Sequence, residues 1–177
     1  MVKVVDPTLL IERQYYEKLA GPRKNCDKLL FSYILHGMDP DAENVRSQIT
    51  KGLRLKALNC DTRKTKVHRG YLLPSPPVWL QHIRDASFML TNSFHGIVFC
   101  LIFHTPFVAI LLEGESSSMN NRICELLKAV GLGRRIASPR QTVSDELLGE
   151  EIDWCNVERH LHSMISDSLY YFDKQQI

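Results

Sequence analysis

The sequence predicts an α/β fold, a parallel sheet with helices on both faces. Three observations carry that expectation. Short, continuously apolar runs of strand length occur at Leu29–Leu35, Phe88–Thr91 and Pro106–Leu111. Strands buried on both faces read as unbroken apolar stretches rather than as alternation. Helical patterns fall between those runs, and strands alternating with helices make parallel crossover units. Proline, glycine and aspartate punctuate the joins, where turn and cap chemistry is needed.

Val4-Val5-Asp6-Pro7-Thr8-Leu9-Leu10 begins the chain as a short segment in which Pro7 biases Asp6 away from helix. A polar helix is expected over Glu12–Ala20, closed by Gly21-Pro22. Leu29–Leu35 is the first strand. Asp39-Pro40-Asp41 supplies helix-start chemistry, with carboxylates at the positive end of the dipole, for a helix over Pro40–Gly52. Leu53–Leu58 reads as a second, weaker strand, and Asp61–Arg69 as a basic irregular stretch. Pro74-Ser75-Pro76-Pro77 opens a helix over Val78–Ala86.

Phe88–Thr91 is the next strand, Ser93–Gly96 a tight turn, and Ile97–His104 a very apolar helix. Pro106–Leu111 is another buried strand, followed by a polar Gly/Ser loop over Glu113–Asn120. Asn121–Val130 is amphipathic, with Ile123, Leu126, Leu127 and Val130 on one face, and Gly131 and Gly133 at its end. After a short connection Asp153 N-caps a last helix, which Trp154 packs down. His104 at its helix end is expected to meet terminal carbonyls. His160 and His162 are two apart and face different ways, so they make no metal pair.

Composition bounds the function classes. At 177 residues, 44% hydrophobic and 24% charged, the chain suits one globular domain. A net charge of +2 gives no argument for nucleic acid, and the basic loop lacks interleaved aromatics. No apolar run is long enough to span a bilayer, and the first residues lack a secretory pattern, so a cytoplasmic location is the default expectation. The five cysteines are odd in number and never form C-x-x-C, which argues against a zinc site or disulfide framework. Cys100 and Cys124 read as small core residues. No metal and no cofactor is expected.

Ligands of parallel sheets bind beyond the carboxyl ends of the strands. Thr91-Asn92-Ser93-Phe94-His95-Gly96 lies at one such end and the Glu113–Asn120 loop at the next. A helix starting near His95 offers unpaired N–H groups and the positive dipole end, an anion seat. Gly96 permits close approach to the backbone, Ser93 carries a hydroxyl, and His95 can donate a hydrogen bond or move a proton near neutral pH. Two plainer readings stand beside these: Ser93 as the helix N-cap, and His95 as a capping residue.

These residues, with Asp6-Pro7-Thr8-Leu9-Leu10, Pro77-x-Trp79-Leu80, Ile83-x-x-Ala86, Phe99 and Pro106-Phe107-Val108, resemble the polysaccharide pyruvyl transferase family. Arg122, Leu126-Leu127, Gly131-Leu132 and Ile152-Asp153-Trp154 extend the likeness over nearly the whole chain. The resemblance implies transfer of a pyruvyl group from phosphoenolpyruvate to sugar hydroxyls of a cell-surface polysaccharide. It implies a Rossmann-like domain over residues 29–177, the C-terminal half of a GT-B-like two-domain architecture, with residues 1–28 as an inter-domain segment. His95 would contact the donor as the catalytic residue, with Ser93, Phe94 and Gly96 as its turn. The family's basic residue after the following strand is absent from Glu113-Gly114-Glu115. Arg122 is the alternative source of charge, against its reading as a solvated cation.

The partners expected on this resemblance are phosphoenolpyruvate, a glycan or lipid-linked sugar acceptor, an N-terminal half and a second copy in a homodimer. Little activity is expected from this half alone. Two alternatives remain at this level. One is half of a GT-B-type glycosyltransferase with a nucleotide-sugar donor, favoured by Glu113 and Glu115. The other is a non-catalytic Rossmann-like interaction module.

Overall fold

The computed structural model describes residues 3–24, 28–61, 74–112, 120–137 and 143–175. The basic stretch Arg63–Arg69, residues 113–119 of the acidic loop and Cys26 lie outside the described residues. Five parallel strands form one sheet in the order β2-β1-β3-β4-β5. They are β1 (Leu29–Ile34), β2 (Lys56–Asp61), β3 (Phe88–Thr91), β4 (Phe107–Ile110) and β5 (Ile136–Ala137). The helices are α1 (Arg13–Ala20), α2 (Pro40–Gly52), α3 (Pro76–Asp85), α4 (Phe94–Phe103), α5 (Asn120–Ala129), α6 (Asp145–Gly149) and α7 (Trp154–Gln175). The α/β Rossmann-like fold is therefore the one the apolar runs predict.

Two cores sandwich the sheet. On one face Leu30, Ile34, Leu90 and Val108 meet Ala42, Val45 and Ile49 of α2 and Leu147 and Leu148 of α6. On the other Phe31, Met89 and Phe107 meet α3, α4, α5 and α7. Every residue of β3 and of β4 is buried, which explains why both runs lack polar alternation. Val5, Leu9 and Ala20 join the second core, so the chain before β1 packs onto the sheet domain.

The end of α1 is fixed by buried polar groups. Arg84 and Asp85 pair at 2.8 Å, with side chains only 2% and 1% exposed. Arg84 also donates to the carbonyls of Gly21 (2.7 Å), Pro22 (3.2 Å) and Glu17 (3.3 Å). Asp85 accepts the Lys24 amide at 2.9 Å. These bonds satisfy the carbonyls that a helix leaves open at its C-terminus.

Several local expectations need correction. The second strand lies three residues later than Leu53–Leu58. After α2 ends at Gly52, Arg54 turns the chain with φ of 52°, and Leu53 and Leu55 pack against the α2 core instead of pairing. The short connection after α5 hides β5 and α6. The first has two residues, too few for any pattern. The second has a legible start, with Ser144 accepting the Leu147 amide and Asp145 and Glu146 in the first turn.

Gly131 caps α5 with φ of 76°, but Gly133 begins a separate 3-10 turn. His104 is itself the left-handed C-cap of α4 (φ 60°). Its ring stacks on Trp154 at 4.8 Å and sits 3.0 Å from Glu158, so it latches α7 to α4. Cys100 is fully buried as expected, whereas Cys124 is half-buried.

Candidate functional site

The strand order reverses between β1 and β3, because the chain leaves β1 for β2 on one side and returns to β3 on the other. Such a reversal opens a crevice at the carboxyl ends of the two strands. Asn92, just past β3, closes its floor. Its carboxamide accepts the Leu35 amide at 2.7 Å and donates to the Leu35 carbonyl at 3.0 Å, so one side chain continues the sheet pairing. Asn120 does the same for Leu112 beyond β4, at 2.9 and 2.8 Å. A cavity of about 160 Å3 lies there, lined among others by Leu35, Gly37, Asp39, Asn92 and Leu112. The sequence reading paired the ends of β3 and β4; the structure adds the end of β1.

The turn into α4 is built on Thr91. Its buried hydroxyl donates to the Tyr33 carbonyl (2.7 Å) and accepts the Ser93 amide (3.0 Å). Ser93 is the N-cap, its hydroxyl oxygen accepting the Gly96 amide at 3.2 Å. The amides of Phe94 and His95 then precede any intrahelical acceptor, and no acceptor among the described residues takes them.

Gly96 has an internal reason. A Cβ there would stand 2.8 Å from Thr91 Oγ1, 3.1 Å from Met89 Cε and 3.3 Å from Ser93 Cβ. The glycine lets α4 lie directly on β3. The helix behind it is anchored by six buried residues, Ile97, Val98, Phe99, Cys100, Leu101 and Phe103.

Phe94 and His95 face outward from this support, His95 with a half-exposed ring. They meet two residues from distant parts of the chain. Asp6 Oδ2 lies 2.9 Å from Arg122 Nη2 and 3.7 Å from His95 Nε2. The Arg122 guanidinium carbon stands 3.9 Å over the centre of the Phe94 ring, a cation–π contact, and the Phe94 and His95 rings meet edge to face. Arg122 is therefore paired and stacked, while its side chain stays 58% exposed at the start of α5.

Asp6 is held firmly. Its Oδ1 accepts the Thr8 hydroxyl (2.6 Å) and amide (3.1 Å), capping the 3-10 turn Pro7–Leu10. The Thr8 carbonyl in turn accepts the Tyr16 hydroxyl at 3.0 Å. Tyr16 packs edge-on against Phe99, Phe99 against Trp79 and Trp79 against Tyr33 of β1. An aromatic chain thus ties the Asp6 turn to the sheet. Burial raises the Asp6 carboxyl, but the Thr8 hydrogen bonds and the charges of His95 and Arg122 outweigh it. The group sits below its ordinary value of 3.8 and is ionised near neutrality.

A groove of about 940 Å3 opens beside the cluster, lined by Asp6, Phe94, Arg122 and Lys128 and by apolar groups such as Val5 and Met164. Of the residues expected from sequence, Phe94, His95 and Arg122 come together around Asp6, with Phe94 and Arg122 lining the groove itself. Ser93 and Gly96 lie beneath them as cap and packing position.

Comparison with known protein families matches residues 2–113 to polysaccharide pyruvyl transferase, more than half of the chain. The chain belongs to the polysaccharide pyruvyl transferase family. The match takes in Asp6, the Ser93–Gly96 turn and strands β1 to β4. It ends at Glu113, so Arg122, α5 and α7 lie beyond it, and the likeness is shorter than the whole-chain span read from sequence. Comparison with curated proteins and with solved structures gives no match.

Asp6 is the residue that sequence reasoning missed as part of the site. It lies 116 positions from Arg122. Its one local signal was the Asp-Pro-Thr order, an aspartate with a hydroxyl residue two positions on, which is N-cap chemistry. Glu113 and Glu115, on which the nucleotide-sugar alternative drew, lie outside the described residues. No helix among the described residues is long and apolar enough to cross a membrane.

Proposed function

We propose that the α4 start, with His95 and Arg122, binds phosphoenolpyruvate and that the protein transfers its pyruvyl group to sugar hydroxyls of a cell-surface polysaccharide. The observation that carries this reading is the cluster itself. A guanidinium and an imidazole stand at the positive end of a helix whose first two amides meet no acceptor among the described residues, within a member of this family. A carboxylate and a phosphate are the anions such a set recognises.

The chemistry moves two protons, one from each sugar hydroxyl. Ketal formation adds two hydroxyl oxygens to C2 of the enolpyruvate, and its methylene takes up one proton to become methyl. Phosphate leaves with the other. Imidazole is suited to that traffic near neutral pH, and His95 is exposed enough to reach a ligand. Arg122 offers further N–H donors besides the one on Asp6, in a fork that fits carboxylate or phosphate.

The proposed setting is the donor-side wall of a GT-B-like cleft in the cytoplasm, with the sugar acceptor approaching over the 940 Å3 groove. Calorimetric titration of phosphoenolpyruvate into the wild type, His95→Ala and Arg122→Ala tests the donor assignment. Each variant is expected to bind at least tenfold more weakly, the scale of one lost charge-assisted hydrogen bond. Unchanged affinity in both variants would refute the site. A thermal-shift panel in which nucleotide sugars stabilise the protein and phosphoenolpyruvate does not would refute the donor.

A further inference from the structure

We infer that Asp6 is a positioning residue for donor binding, a carboxylate that holds the Arg122 guanidinium and the His95 ring in place for the incoming anion. The inference rests on the donor reading above and assigns a role to a residue that would not itself touch the donor. An anionic side chain at an anion site is at first sight a defect, since it repels the ligand. The geometry gives it a use.

Arg122 and Asp6 lie 116 positions apart along the chain, and Arg122 is a long, exposed side chain at the start of α5. Unpaired, it samples many rotamers, and holding it for a ligand costs that freedom on every binding event. Here one Nη2–H donates to Asp6 Oδ2 at 2.9 Å and one guanidinium face lies on Phe94 at 3.9 Å. Two fixed contacts on a planar group leave its remaining N–H groups in a set direction. His95 Nε2 lies within ion-pair range of the same oxygen, at 3.7 Å.

Asp6 can serve as an anchor because it is itself immobile. Both Thr8 donors engage its other oxygen, and its side chain is 10% exposed. The aromatic chain from Tyr16 to Tyr33 then transmits the position of the sheet to that carboxylate. Of the other charged groups on the groove, Lys3 and Glu125 pair with each other at 2.8 Å, and Lys128 adds a further cation.

The opposing effects have opposite signs, so they can be told apart. Removing the Asp6 charge on the order of 6 Å from a bound anion would tighten binding about threefold in water-like surroundings. Losing the anchor would weaken it roughly tenfold, the size of a typical coupling within one hydrogen-bonded cluster. The experiment is titration of phosphoenolpyruvate, and of inorganic phosphate, into the wild type, Asp6→Asn, Arg122→Ala and the Asp6→Asn/Arg122→Ala double variant.

The expected result is weaker phosphoenolpyruvate binding in Asp6→Asn and no further loss in the double variant. In NMR spectra the Arg122 Nη resonances are expected to be distinct in the wild type and averaged in Asp6→Asn. Equal or tighter binding by Asp6→Asn would overturn the inference while leaving the donor site intact, provided His95→Ala and Arg122→Ala still weaken binding. If those two variants bind normally, the donor site fails and the inference with it. Should Asp6→Asn fold poorly, Thr8→Val removes the 2.6 Å anchor bond but no charge. It is expected to bind several-fold more weakly, and wild-type affinity in that variant would equally overturn the inference.

Discussion

Replacing Gly96 by alanine places a methyl group where Thr91 Oγ1 stands 2.8 Å away, with Met89 Cε at 3.1 Å and Ser93 Cβ at 3.3 Å. The methionine end can swing aside, but Thr91 cannot. Its hydroxyl is held by the Tyr33 carbonyl and the Ser93 amide, and its side chain is fully buried. Relief therefore means lifting the first turn of α4 off β3 by a few tenths of an ångström. Overpacking of this kind costs about 1–3 kcal/mol. Straining the Thr91 and Ser93 hydrogen bonds adds up to ~1 kcal/mol, and the better helix propensity of alanine returns up to ~1 kcal/mol.

The net expectation is a loss of about 2 kcal/mol, or roughly 4–8 °C in Tm for a domain of this size. Chemical denaturation followed by circular dichroism, with calorimetry for Tm, reads both quantities. Combining Gly96→Ala with Thr91→Ala removes the nearest atom, and the added cost of the alanine is expected to shrink by half or more. A Gly96→Ala protein as stable as wild type would show that α4 does not rest on β3 as described. Loss of stability undiminished by Thr91→Ala would place the strain elsewhere.

Arg84→Ala is expected to destabilise the fold by about 3–5 kcal/mol, because it leaves the Asp85 carboxylate buried and unpaired and frees the carbonyls at the end of α1. Burial raises Asp85, but the hydrogen bonds from Arg84 and Lys24 and the nearby arginine charges hold it below 3.8. Its contribution is therefore complete above pH 3.8 and is lost as the pH falls through the depressed folded value. The acid limb of a stability–pH curve is accordingly expected to be shallower in Asp85→Asn. For His104, burial and the Arg13 charge outweigh Glu158 and lower it from 6.5. Its contribution is full above pH 6.5 and declines as the pH drops through the lower folded value. His104→Asn, which tolerates the left-handed backbone, is expected to lose less Tm between pH 7.5 and 5 than the wild type. His82 titrates in the same window in both proteins, so an equal loss in the two would assign the effect to His82.

Much of the site's scaffold was legible because it is local. Ser93 caps α4 through an amide three residues on, and the apolar runs of β3 and β4 needed no partner to be recognised. The Ser-Phe-His-Gly turn at a strand end follows from the same local pattern. The start of α6 was legible too, through Ser144, and went unread. Strand β2 was misplaced because it is an edge strand without an apolar run, and its start is set by pairing of Lys56 with Leu29 of β1.

What the sequence by itself determined was the parallel α/β layering, the caps, and a histidine at an exposed helix start. Each depends on side chains within a turn or two of one another, where spacing is geometry. The tertiary structure alone decided that Asp6, His95 and Arg122 share one oxygen, and that Gly96 is needed for α4 to lie on β3. It also decided that the strand order reverses beside β1. The Asp6 and Arg122 side chains meet across 116 positions of chain. A contact of that kind is fixed by how helices settle on a sheet, through the summed burial of two cores, and no spacing along the sequence encodes it.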